Sequence, residues 1–93
     1  MDFEDLEKKV REIQSLVSKF SVGKVEQVMK DKVTKLDDRS IEDITKLTDN
    51  MCYHRPDCDA LGIDYCEISD EDYNKAFVCA YYLYLEAIKV LPL

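Results

Sequence analysis

The chain has 93 residues, 46% apolar and 35% charged, which is the make-up of one small folded domain. Two glycines and two prolines exclude a collagen-like or linker-like chain and argue against a many-turned β-sandwich. Twenty acids against thirteen bases give a net charge of −7, the wrong sign for a domain that neutralises nucleic-acid phosphates.

Phe3, Leu6, Val10, Ile13, Val17 and Phe20 recur at alternating intervals of three and four, which predicts an amphipathic helix over 3–20. Leu16 widens its seam, and the acids lie early and the bases late, in keeping with the helix dipole. A seam of this type also suits a second copy, so a homodimer through this helix is one expectation. Ser21-Val22-Gly23 reads as a break. Val25, Val28, Met29, Val33 and Leu36 then predict a second helix over 24–36. Asp37-Asp38-Arg39 reads as a turn. Ser40 reads as the cap of a third helix over 40–52, with an apolar stripe of Ile41, Ile44, Leu47 and Met51.

The next seventeen residues, Tyr53 to Ser69, break the period with Pro56, Gly62, cysteines, the single His and a run of acids. Ser69 then caps a fourth helix over 70–90, with Asp70, Glu71 and Asp72 in its first turn. Tyr73, Phe77, Ala80, Tyr81, Tyr84 and Ile88 face one way, and Val78, Leu85 and Ala87 broaden that face. The remaining polar stripe is narrow: Asp72, Lys75, Cys79, Tyr82 and Glu86. A helix apolar so far round belongs at the centre of a bundle or under a partner. The expected fold is all-α: one four-helix, bundle-like domain over 1–93, with a Cys-, His- and Asp-rich loop between the third and fourth helices.

The longest uncharged run, Ala76 to Leu85, has ten residues, where a bilayer-spanning helix needs roughly 20. The first residues are acidic where a secretory signal carries a basic region. The expectation is therefore no membrane association, a cytoplasmic location and reduced cysteines.

Chemistry concentrates in the loop. Cys52, His54, Cys58 and Cys66 fall within fifteen residues, and three thiolates with one imidazole form a legitimate tetrahedral zinc set. The spacing lacks the C-x2-C pair of small zinc modules. The alternatives are free buried thiols, or a disulfide joining Cys52 or Cys58 to Cys66. Asp57, Asp59 and Gly62 also stand at positions 1, 3 and 6 of a stretch that resembles an EF-hand loop over twelve residues. That resemblance implies calcium, but Leu61 and Ile68 replace two of the required ligands, the second of them the bidentate glutamate. No G-x-S-x-G, H-E-x-x-H or P-loop pattern occurs, so a non-enzymatic chain with no resident cofactor is expected, zinc being the alternative.

Residues 1–50 hold 12 acids and 10 bases, whereas residues 51–93 hold 8 acids and 3 bases. The excess negative charge therefore lies on the loop and the start of the fourth helix. Asp57, Asp59, Asp64, Tyr65, Glu67, Asp70, Glu71 and Asp72 form the candidate binding surface, within a stretch that holds all six tyrosines. Carboxylates beside tyrosine suit recognition of a basic protein, such as one with a nucleic-acid-binding groove, while direct nucleic-acid binding is not expected. The competing reading assigns Tyr73, Tyr81 and Tyr84 to the core and the acids to solubility and capping. In composition the chain is similar to small phage- or virus-encoded inhibitors, including anti-CRISPR proteins and DNA mimics. That likeness implies a regulator that occludes a basic partner. A zinc- or redox-linked domain built on the Cys52–Cys66 loop and a structural homodimer subunit are the rival readings.

Overall fold

The computed structural model describes residues 3–90. It contains helices α1 (Phe3–Ser18), α2 (Val22–Asp31), α3 (Asp38–Cys52), α4 (Arg55–Leu61) and α5 (Asp70–Val90), with a 3-10 turn at Val33–Lys35. No strand occurs among the described residues, and the expected all-α class holds. All four expected helices are present, and one further helix lies inside the segment expected to be a loop.

The helix ends follow from local chemistry. α1 stops two residues short of the expected end, where Lys19 and Phe20 donate to Leu16 and Val17 in tight turns. Ser21 lies in the expected break but serves as the N-cap of α2, its hydroxyl accepting the Lys24 N–H at 3.2 Å. α2 ends at Asp31 rather than continuing to residue 36. The β-branched pair Val33-Thr34 follows in a 3-10 turn, with the Thr34 hydroxyl donating to the Lys30 carbonyl. The cap of α3 is Asp37 rather than Ser40: the Asp37 carboxylate accepts the Ser40 N–H at 2.7 Å. Hydrogen bonds from Ser40, side chain and backbone, hold the Asp37 carboxyl below its usual range. Ser69 caps α5 as expected, its hydroxyl accepting the Asp72 N–H at 3.2 Å.

The additional helix, α4, has the punctuation of a short helix. Pro56 stands in its first turn, where a missing N–H costs no hydrogen bond. Gly62 ends it at φ 72°, ψ 31°, donating to the Asp59 carbonyl, while Ile63 donates to the Cys58 carbonyl at 2.9 Å. These paired bonds, with Ile63 buried behind them, form a Schellman stop. The EF-hand resemblance fails for the same reason. Asp57 and Asp59 are helical, so their carboxylates do not line a loop, and Gly62 terminates a helix instead of turning a calcium cradle.

α5 is the central element and packs against α1, α2 and α3. Six consecutive residues, Ala76 to Tyr81, are buried, so its middle is enclosed on every side. Cys79, expected on the polar stripe, is fully buried there. The chain's own helices thus cover this segment of α5. The core also takes Val17, Val25, Val28, Ile44, Met51 and Leu61. α1 lays Ile13, Gln14 and Val17 inward and packs on α4 and α5. The inner half of its seam is therefore spent within the domain, while Phe3 is exposed. Thr48 is fully buried, but its hydroxyl donates to the Ile44 carbonyl at 2.7 Å. No buried side-chain nitrogen or oxygen among the described residues lacks a partner.

Candidate functional site

The Cys and His side chains do not converge. Cys52 is buried at the end of α3, and Cys58 is buried in α4, its thiol 3.5 Å from the Met51 and Cys52 carbonyls. Cys66 is exposed, Cys79 lies deep in α5, and all four are free. Among the described residues, no three His, Cys, Asp or Glu side chains are placed to hold a metal ion. The structure does not bring the expected set of Cys52, His54, Cys58 and Cys66 together. Formation of α4 turns the Cys58 thiol inward and leaves His54 on the surface, and the turn after Gly62 leaves Cys66 exposed. The suggested disulfides would each join a buried thiol to an exposed one, and neither is formed.

Burial pushes the Cys52 and Cys58 thiols up, helped by neighbouring Asp49 and by Asp57 and Asp59 respectively. Burial pushes Cys79 up to about 12. Such thiols stay protonated and unreactive at neutral pH. A native-state maleimide titration should therefore label one cysteine rapidly and the other three only on unfolding, and Cys66→Ser should remove the rapid phase. Rapid labelling of more than one thiol in the folded chain would contradict this placement.

Asp57, expected on the binding surface, ties two helices together. One carboxylate oxygen accepts the Gln14 amide from α1, and the other lies 2.8 Å from His54 Nδ1. Gln14 is buried, whereas His54 is exposed. A carboxylate-oriented imidazole is part of a nucleophilic relay, but among the described residues no hydroxyl or thiol hydrogen-bonds to His54.

The remaining acids are distributed over α4, the turn after it and the first turn of α5. From Asp57 to Asp72 the sequence has seven carboxylates and no Lys or Arg. Asp59, Asp64, Glu67, Asp70 and Glu71 are exposed, and Asp72 is half-buried. None of these six forms an ion pair among the described residues. Asp64 fixes its own turn by accepting the Cys66 N–H at 3.0 Å. Tyr65 stands among them, 45% exposed.

The tyrosines divide. Tyr81 is core, while Tyr84 is half-buried, its hydroxyl 3.2 Å from that of Ser40. Tyr82 meets the Phe20 ring edge-on. Tyr53 and Tyr65 are the exposed ones. Between the end of α3 and the start of α5 runs a groove of about 280 Å³, lined by Asp49, Cys52, Tyr53, Ile68, Ser69, Asp70 and Tyr73. The Tyr73 hydroxyl donates to Asp49 at 3.1 Å, and burial together with that carboxylate pushes the phenol up. The expected surface omitted Asp49 and Tyr53. Asp49 belongs to a solvent face like any other in the sequence, and only the packing of α3 beside α5 brings it to the acidic segment.

Comparison with protein-family models, characterised proteins and solved structures finds no match to this chain. No described helix is long and apolar enough to cross a membrane.

Proposed function

We propose that this domain is a non-enzymatic binding module that occludes or regulates a basic protein through the acidic surface of residues 59–72. The observation that carries this reading is the set of six carboxylates, Asp59, Asp64, Glu67, Asp70, Glu71 and Asp72, without an ion pair among the described residues. Exposed charges without ion pairs stabilise the fold little, but they steer an oppositely charged partner. Tyr65 supplies contact area among them at low entropy cost. The partner's basic surface is of the kind that otherwise binds nucleic acid, and the chain would compete for it by charge. The likeness to phage-type inhibitors is in accord with such a role.

The test is capture of basic proteins from cells of the source, comparing the wild-type chain with an Asp64→Lys/Glu67→Lys variant. The wild type should retain a basic protein that the variant loses, and association should slow by about tenfold or more as salt rises. The variant's stability should stay within ~1.5 kcal/mol of wild type, because both positions are exposed and only the Asp64 turn bond is lost. A partner held equally by both chains at low and high salt, or micromolar binding of DNA or RNA by the chain itself, would overturn the proposal.

A further inference from the structure

We infer that the groove between α3 and α5 is a receptor for an arginine side chain of a basic protein segment, an inference that rests on the function proposed above and gives it an anchoring point. The groove's volume of about 280 Å³ falls just below the roughly 300–1,000 Å³ of small-molecule pockets. It is open, and it suits a single long side chain. Its lining combines apolar surface from Cys52 and Ile68, two phenol rings, and carboxylates from two different helices, Asp49 and Asp70. No Lys or Arg lines it.

Three features select a cation, and arginine among cations. Tyr53 is 82% exposed at the end of α3, a ring left in water beside the groove and free to stack on a planar guanidinium. Asp49 is held by the Tyr73 hydroxyl, so one carboxylate is positioned before a ligand arrives. Asp70, with Glu71 and Asp72 in the same first turn, answers the positive end of α5 and supplies the second carboxylate. The lysine ammonium is a compact point charge and would use the ring and the two carboxylates less completely than the guanidinium fork. A second cleft, between α2 and α5, already has its own cations: Lys75 lines it, and Lys24 lies over its Phe20 ring at 5.8 Å. The groove beside Tyr53 offers similar groups with no internal cation in its lining.

The experiment is an amide-resolved NMR titration of the full chain with a capped Ala-Arg-Ala tripeptide at low salt, alongside lysine and citrulline counterparts. The arginine peptide should bind with a dissociation constant of about 1 mM or tighter and shift amides in residues 49–53 and 68–73. The neutral citrulline peptide should bind about tenfold more weakly, with lysine between the two. Tyr53→Ala removes an exposed ring, and Asp49→Asn keeps an acceptor for Tyr73, so both variants should fold. Each should weaken the arginine peptide about threefold or more, whereas Asp31→Asn, a charge change on α2, should alter it by less than about twofold.

Equal binding of all three peptides, or indifference to both Tyr53→Ala and Asp49→Asn, would overturn the groove. Shifts centred on Asp64 and Glu67, abolished by their reversal to lysine, would also overturn it while leaving the acidic-surface reading intact. If the arginine peptide binds the groove as described but the chain captures no basic protein, the groove stands and the proposed function falls.

Discussion

Leu61→Ala should destabilise the domain by about 2–5 kcal/mol, the usual cost of a deleted buried leucine side chain with partial collapse of the cavity. Leu61 is 1% exposed and closes α4, which packs on both α1 and α3. Domains of this size hold a margin of only ~5–15 kcal/mol, so the loss takes a large part of the total. Urea unfolding followed by circular dichroism measures it, with Leu16→Ala as the comparison. Leu16 is 49% exposed on α1, and its truncation should cost no more than ~1 kcal/mol. A cost below ~1 kcal/mol at Leu61 would mean that α4 is not seated in the core.

Asp57→Ala should cost about 1–3 kcal/mol, through the groups it abandons more than through the contact it removes. The Gln14 amide is buried and donates to Asp57, so truncating the carboxylate leaves that amide without its acceptor. Asp57→Asn retains an acceptor and should recover much of the loss. The informative comparison is the cycle with Gln14→Leu. Removing both partners should cost less than the sum of the single changes, with a coupling of roughly 0.5–3 kcal/mol, since no buried polar group is then stranded. Additive single and double costs would show that the α1–α4 tie carries no energy. The same cycle separates this structural role from binding: the Asp57 variants should strand a buried amide, whereas reversal of Asp64 and Glu67 should lose only the exposed turn bond of Asp64.

The comparison of expectation with structure turns on the range of each interaction. The intervals of three and four from Phe3 to Val17, the Ser69 cap and the breadth of apolar residues along α5 depend on neighbours within a few residues. They sufficed to place four helices and to mark the fourth as either central or covered by a partner; the packing of α1, α2 and α3 around it decides for the centre. α4 carries signals of its own inside the segment expected to be a loop. Pro56 and Gly62 break the apolar period, and their six-residue separation also fits the start and stop of a single short helix. The metal expectation rests on the same loop, because ligand spacing along a loop changes once Cys58 is wound into a helix. The cap of α3 was misplaced within a run of capping-competent residues, Asp37, Asp38 and Ser40, where only backbone geometry chooses among them.

The order of the helices, the all-α class and the concentration of negative charge after Arg55 were fixed by residue type and local periodicity, which require no knowledge of what lies opposite. The burial of Cys79, the use of Asp57 as a tie to Gln14 and the meeting of Asp49 with Tyr53, Asp70 and Tyr73 depend on which helix faces which. Gln14 and Asp57 are 43 residues apart, and Tyr73 and Asp49 are 24 apart. No periodicity reaches across such separations. Packing alone divides the acidic segment into a carboxylate spent within the domain and those left in solvent.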